Sequence, residues 1–108
     1  MVVTDVKDQD FNSEVLQSDI IVFACFTSHW CSSCFPTCMS VSSLAKEYDR
    51  RVKFVRCDIE QCVEVAKRYH VGVVPTILLF RDSESVKKIV GFKEKRFLRR
   101  LLDAYLQK

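Results

Sequence analysis

Two cysteines separated by two residues are the groups in this chain most suited to chemistry. Cys31 and Cys34 enclose a Ser-Ser dipeptide and follow directly after Trp30. In a helical turn, positions i and i+3 share a face, so the two sulfurs can approach bonding distance. Unpaired N–H groups and the positive end of the dipole at a helix start favour a thiolate. We therefore predict that Cys31 is the nucleophile and that Cys34, one turn deeper, resolves a mixed disulfide.

Alternating strands and helices must position this pair. Ile20–Phe26 is short and apolar on both alternating faces, which predicts a strand buried on both faces. A helix follows from about Ser32 to Tyr48, because its apolar residues recur at helical spacing. The other predicted elements are strands at Val2–Val6, Val52–Ile59, Thr76–Phe80 and Val86–Val90, and helices that start at Asp8 and span Glu60–Tyr69 and Glu94–Gln107.

This order, β-α-β-α-β-α-β-β-α, predicts an α/β fold with a central mixed β-sheet and helices on both faces. The polar turn Arg81–Ser85 is short enough to make the last two strands an antiparallel hairpin. Such folds place their chemistry where a parallel strand ends and a helix begins, which is where the cysteine pair lies. The predicted buried faces of the last three helices are Val41, Leu44, Ala45 and Tyr48, then Val63, Ala66 and Tyr69, then Phe97, Leu98, Leu101, Leu102 and Tyr105.

Length and composition favour one domain over residues 1–108, since 48% of the residues are hydrophobic and the net charge is only +3. The longest apolar stretches, Ile20–Phe26 and Val71–Phe80, are shorter than the ~20 residues that a membrane-spanning helix needs. The first residues lack the pattern of a secretory signal, so a reducing cytoplasm is the expected location. Six cysteines are too few for a disulfide-stabilised scaffold of this length.

The chain resembles the thioredoxin family over nearly its whole length. The resemblance rests on Trp30-Cys31-Ser32-Ser33-Cys34 after a buried strand, on Val74-Pro75-Thr76 before a later strand, and on Gly91 before the final helix. It implies the thioredoxin fold and a cis bond at Pro75, which would face the two cysteines; an ordinary trans proline at a strand start is the alternative. It also implies a substrate surface made of Trp30, Ile59, Val74, Pro75, Gly91 and Phe92.

The same resemblance implies the function. The chain is expected to be a thiol–disulfide oxidoreductase that exchanges its Cys31–Cys34 pair with protein disulfides, mainly as a reductant. Electrons would come from a thioredoxin-reductase-type enzyme, and no bound cofactor, metal, nucleic acid or membrane would be needed. A monomer is expected. An oxidase, an isomerase or a redox sensor remains an alternative, and Ile59 and Val74 have a second reading as core residues.

Three departures from the family pattern affect the chemistry. Ser32 and Ser33 stand where the family usually has Gly-Pro, and their hydroxyls near Cys31 would favour the thiolate and raise the reduction potential. Cys25 replaces the family's buried Asp, and Arg56 replaces its Lys neighbour, so slower resolution by Cys34 is expected. A proline inside the long helix, Pro36, would bend its first turn.

Two other readings of the sequence carry less weight. Cys31, Cys34 and Cys38 lie on one helical stripe, and with a fourth ligand from Cys57, Cys62 or another chain they could hold zinc or an iron–sulfur cluster. Structural zinc sites usually combine two short Cys/His ligand motifs from different elements. The isolated His29 and His70 do not supply a second motif. A basic stretch at Lys87–Arg100 has no interleaved aromatic platform and is better read as a solvated helix face than as a nucleic-acid site.

Overall fold

A computed structural model describes residues 3–107 and contains one five-stranded mixed sheet. The strand order is β1-β3-β2-β4-β5, with β1 and β2 parallel to β3 and with β4 antiparallel to both β2 and β5. The predicted fold class is confirmed; Val2, the predicted start of the first strand, lies outside the described residues. The strands are β1 (Val3–Val6), β2 (Ile21–Thr27), β3 (Val52–Asp58), β4 (Thr76–Arg81) and β5 (Glu84–Val90).

Helices cover both faces of the sheet and divide the core in two. All seven residues of β2 are buried, because each face of this strand packs under helices. The face under α2 and α4 includes Phe23, Leu44, Phe54, Leu98 and Leu102, and the opposite face includes Phe11, Phe26, Val65 and Phe80. The helices are α1 (Asp8–Phe11), which continues as a π-helical turn (Asn12–Leu16), then α2 (Cys34–Glu47), α3 (Val63–Arg68) and α4 (Lys95–Leu106). None of the described helices is long and apolar enough to cross a membrane.

Helix α3 is shorter than the sequence predicted. It begins at Val63 and not at Glu60, because Asp58 organises a turn first: its carboxylate accepts from the N–H of Glu60 at 2.8 Å, and its carbonyl accepts from the N–H of Cys62 at 2.9 Å. The helix therefore buries Val65, whereas Val63, predicted as core, is 43% exposed.

The final hairpin is tighter than predicted. Strand β5 starts at Glu84, so the turn consists of Asp82 and Ser83, whose φ angles are 53° and 70°. Two-residue turns with positive φ match the right-handed twist of paired strands, and Asp tolerates that conformation better than most residues. The predicted five-residue turn, Arg81–Ser85, is wrong for this reason.

Helix α4 buries a narrower face than its sequence predicted. Leu98 and Leu102 are fully buried, while Phe97 is 45% exposed. The Lys93 ammonium lies 6.0 Å from the centre of the Phe97 ring. The prediction of Phe97 as core is wrong, because the buried stripe follows the i, i+4 spacing of the two leucines.

An ion-pair cluster joins α2 to α4. The Glu47 carboxylate accepts from Arg99 at 3.0 Å and lies 2.8 Å from the Lys95 ammonium. The hydrogen bonds from Arg99 and from Lys95 lower the pKa of Glu47 from 4.5 to about 2. A carboxyl group with a depressed pKa contributes stability above its unfolded pKa, and that stability is lost as the pH falls through the folded pKa.

We expect Glu47→Gln to lower the free energy of unfolding at pH 7, with a difference from the parent that shrinks between pH 4.5 and pH 2. Urea denaturation across this pH range measures it. Glu84→Gln is the matched control, since Glu84 forms no ion pair within residues 3–107. A difference that stays constant down to pH 2 would contradict the prediction.

Candidate active site

The buried strand β2 delivers the cysteine pair to the carboxyl edge of the sheet. After Thr27 the chain makes a turn in which the Cys31 N–H donates to the Ser28 carbonyl at 3.4 Å, and α2 then begins at Cys34. Cys31 and Cys34 form a disulfide with Cα atoms 5.3 Å apart. Cys34 is buried and Cys31 is half-buried. The outer sulfur is therefore the one that a substrate can reach.

The start of α2 has a proline in its first turn. Because the helix begins at Cys34, Pro36 falls in its first turn, where backbone N–H groups have no partner within the helix. The Ser32 carbonyl, which an N–H at position 36 would have used, accepts from Phe35 instead at 3.4 Å. The predicted bend of the first turn at Pro36 stays a prediction.

The loop before β4 lies against the outer sulfur. The Val74–Pro75 bond is cis, and the Val74 carbonyl lies 3.7 Å from Cys31 Sγ. The Gly91 N–H donates to the Pro75 carbonyl at 2.8 Å. Gly91 has a φ of 87°, a conformation that residues with a side chain rarely adopt. These contacts bring the end of β5 beside the dithiol.

Exposed apolar side chains flank the residues that contact the outer sulfur in the chain. Trp30, next to Cys31, is 63% exposed, and Phe92, next to Gly91, is 46% exposed. Val73 is also exposed, although the sequence analysis did not single it out. Such a cluster beside a reactive group is typical of a docking surface.

Ile59 and Val74 take an intermediate position. Both are half-buried and pack against the core cluster under α1 and α3. The Ile59 N–H also donates to the Thr27 carbonyl at 2.9 Å, which fixes it at the strand end that leads to the cysteines. Each residue therefore has an inward packing role and an outward portion near the site.

Glu60 is a site residue that the sequence analysis missed. Its carboxylate accepts from the Trp30 indole N–H at 3.2 Å and so orients the ring beside the dithiol. His29 Nδ1 lies 3.6 Å from the same carboxylate and 3.9 Å from that of Asp58. The sequence did offer one signal for Glu60. It follows a predicted strand directly, and that strand ends at the same edge of the sheet as the strand that precedes Trp30.

Cys25 does not act as an ionised base. It is buried under α2, and burial, with a smaller effect of Cys38, raises the pKa of its thiol to about 12. Its cross-strand neighbour Arg56 directs its guanidinium to Asp5, with hydrogen bonds of 2.7 and 3.1 Å. At neutral pH the position of the family's buried Asp therefore carries a neutral thiol.

The remaining cysteines do not assemble a metal centre in the described residues. Cys57 and Cys62 are fully buried, and the Cys62 thiol donates to the Val6 carbonyl at 3.1 Å. The close group of possible ligands within residues 3–107 is His29, Asp58 and Glu60, which contains no thiol. The described residues therefore give no support to a thiolate-bound metal.

The basic stretch near the C-terminus is partly neutralised. Lys95 and Arg99 pair with Glu47, and the Lys88 ammonium donates to the carbonyls of Tyr69 and His70. These contacts occupy cations that a nucleic acid would need.

One of the two serines between the cysteines contacts the nucleophile. Both serines are exposed, and Ser33 Oγ lies 3.4 Å from Cys31 Sγ. A hydroxyl at this place can donate to the Cys31 thiolate in the reduced protein. Stabilising the reduced form raises the reduction potential of the pair.

We expect Ser33→Ala to lower the reduction potential of the Cys31–Cys34 pair by about 10–30 mV, since 30 mV corresponds to ~1.4 kcal/mol and a hydrogen bond contributes ~0.5–1.5 kcal/mol. Equilibration in defined thiol–disulfide buffers measures the potential. Ser32→Ala is the control and should shift it less. A rise in potential on removing the Ser33 hydroxyl would show that this contact does not favour the thiolate.

Comparison with known proteins agrees with this geometry. Residues 2–104 match the family model described as Thioredoxin. The thioredoxin of Staphylococcus epidermidis is 32% identical over 106 residues, which cover 98% of this chain and all of that protein. Thioredoxin 1 of Synechococcus elongatus is 34% identical over 101 residues, or 94% of each chain. The thioredoxin of Rickettsia bellii is 30% identical over 95 residues, or 88% of this chain and 90% of that protein.

A mixed sheet covered on both faces, with a reactive pair of cysteines where its central strand meets a helix, defines a thiol–disulfide oxidoreductase. Cys31 and Cys34 are the redox-active pair. With the match across residues 2–104, the chain belongs to the thioredoxin family.

Proposed function

We propose that this protein reduces disulfides in other proteins, with Cys31 as the attacking sulfur and Cys34 as the resolving one. The observation that carries the proposal is the asymmetry of the pair: the Cys31 side is accessible beside exposed Trp30 and Phe92, while Cys34 is buried one turn deeper. A bulky protein substrate can therefore reach only one of the two sulfurs.

The proposed reaction exchanges one disulfide for another. The Cys31 thiolate attacks the substrate disulfide, forms a mixed disulfide and releases the first substrate thiolate. The Cys34 thiolate then attacks Cys31 Sγ and releases the second. The substrate gains two electrons and two protons as two thiols, and the protein is left with the Cys31–Cys34 disulfide. An external thioredoxin-reductase-type enzyme restores the dithiol, so no bound cofactor takes part.

The substrate segment is proposed to lie extended along the loop before β4. The Val74 carbonyl is close to Cys31 Sγ and offers a backbone acceptor to an added strand. Pro75, Gly91 and Ile59 would form the floor and sides of this path, with Trp30 and Phe92 contacting apolar substrate side chains. The monomer is proposed as the working form, in a reducing cytoplasm that keeps Cys31 and Cys34 as thiols between turnovers.

Proton transfer at Cys34 is proposed to be the slow step of resolution. Cys25 keeps its proton, and none of the buried side chains in residues 3–107 is a carboxylate. Cys34 therefore loses its proton to water. We infer that release of the second substrate thiolate is slower than in relatives with a buried Asp at this position.

An anaerobic titration in thiol–disulfide buffers, followed by Trp30 fluorescence, tests the direction of electron flow. A two-electron transition near the ~−270 mV typical of thioredoxin supports the reductant role. A transition tens of millivolts higher would favour an oxidase or isomerase, the alternative that the Ser33 contact with Cys31 supports. The absence of any transition would contradict the dithiol mechanism.

A further inference from the structure

Three side chains that can bind a metal ion meet at the carboxyl edge of the sheet. His29 lies in the loop after β2, Asp58 ends β3, and Glu60 lies in the turn that follows β3. His29 Nδ1 is 3.6 Å from Glu60 Oε1 and 3.9 Å from Asp58 Oδ2, and one ligand atom from each residue lies within 4.8 Å of the other two. His29 and Asp58 also line the cavity that contains Cys31. One imidazole nitrogen and two carboxylate oxygens therefore converge beside the dithiol.

Each carboxylate of this group is oriented through its other oxygen. Asp58 Oδ1 accepts from the Glu60 N–H at 2.8 Å, and Oδ2 is the oxygen that faces His29. Glu60 Oε2 accepts from the Trp30 indole N–H at 3.2 Å, and Oε1 is the oxygen that faces His29. Hydrogen bonds of this kind orient the ligands of metal sites in proteins. Groups other than the imidazole thus direct both free oxygens towards it.

The spacing of the three ligand atoms suits a zinc ion. Tetrahedral zinc with Zn–N and Zn–O bonds of ~2.0–2.2 Å places neighbouring ligand atoms about 3.4 Å apart. The side chains of His29, Asp58 and Glu60 are 69%, 36% and 52% exposed, so small rotations can bring their ligand atoms to this spacing. Imidazole is a ligand that zinc accepts readily, whereas Mg²⁺ is bound mainly by oxygen atoms. The ligand set therefore favours zinc over magnesium.

We propose that His29, Asp58 and Glu60 bind one zinc ion at the rim of the active site, with water in the remaining position. The charge of the ion offsets the two carboxylates, and the neutral imidazole supplies the third ligand. Because Glu60 also holds the indole of Trp30, the bound ion fixes the side chain that precedes Cys31. Disulfide exchange does not use the ion, so the site is separate from the proposed reductant function.

The test uses the full chain with Cys31 and Cys34 oxidised, so that neither sulfur can bind, and zinc chloride as the probe. Equilibrium dialysis measures the number of ions bound and their affinity, and X-ray absorption at the zinc edge identifies the ligand atoms. We expect one zinc ion per chain, bound by nitrogen and oxygen alone and not displaced by a large excess of Mg²⁺. The fluorescence of Trp30, the only tryptophan of the chain, should change with the same affinity.

Variants decide whether these three residues hold the ion. His29→Gln, Asp58→Asn and Glu60→Gln should each weaken zinc binding at least about tenfold, since even the hydrogen-bond partners of metal ligands contribute 10–100-fold. The two amides keep an oxygen that can accept the present hydrogen bonds but lack the charge. His70→Asn and Cys38→Ser are the controls and should bind zinc as the parent does.

Four results would overturn the proposal. They are the absence of zinc binding to the parent chain, an unchanged affinity in His29→Gln, a sulfur atom among the zinc ligands, and a loss of binding in Cys38→Ser. Each is independent of the reductant function, because the Cys31–Cys34 pair stays oxidised throughout.

Discussion

Cys31→Ser is expected to remove disulfide reductase activity, with a loss on the order of 10³-fold or more in the rate of insulin disulfide reduction. The reason is that Cys31 carries the half-buried sulfur of the pair, whereas Cys34 is buried. A serine hydroxyl has nearly the same size but does not ionise at neutral pH, so the fold is kept while the nucleophile is lost.

Two further variants are compared with Cys31→Ser in the same assay. Cys34→Ser should retain the attack and stop the resolution, so that a mixed disulfide between Cys31 and the substrate accumulates and is visible by non-reducing electrophoresis. Cys38→Ser should reduce insulin at the rate of the parent, because Cys38 is not one of the bonded pair. Residual turnover in Cys31→Ser close to that of the parent would show that another sulfur carries the reaction.

Phe23→Ala is expected to lower the free energy of unfolding by about 3–5 kcal/mol. Phe23 is fully buried in the middle of β2, and its ring centre lies 4.9 Å from that of Phe54. Removing the ring takes away a large apolar surface and leaves a cavity that a strand bonded on both sides cannot close. Urea denaturation followed by far-UV circular dichroism measures the change.

Phe97→Ala is the matched control for this prediction. The same atoms are removed, but Phe97 is 45% exposed on α4, so we expect a change below ~1 kcal/mol. Equal losses at the two positions would mean that Phe97 is buried in solution, as its place in the helical pattern first indicated.

The fold could be predicted because its signals are local and repetitive. The seven buried residues of β2 are apolar without interruption, apart from the final Thr27, and the helices that cover it carry apolar residues at helical spacing. Element boundaries were less predictable, because single hydrogen bonds decide them. The carboxylate of Asp58 delays α3, and the positive φ angles of Asp82 and Ser83 shorten the last turn.

The reactive pair was equally visible in the sequence, since Cys31 and Cys34 lie in one turn and their chemistry depends on that spacing. Of what surrounds them, the resemblance indicated Val74 and Pro75, but no local pattern indicated Glu60. The contact of Glu60 with Trp30 joins residues that are 30 positions apart, and that of Val74 with Cys31 spans 43. No local pattern encodes such contacts, because they arise only when β3 and β4 are set beside β2.

The sequence by itself thus determined the α/β fold class and the redox pair, which follow from periodicity and from residues within one helical turn, while the family came from its resemblance in motifs spread along the chain. Only the tertiary structure decided that Pro36 falls in the first turn of α2, that Cys25 is a neutral core thiol, and that Ser28 and Cys38 line a cavity with the dithiol. The physical reason is that burial, pKa and cavity shape depend on all neighbouring elements together, whereas periodicity depends on the chain alone.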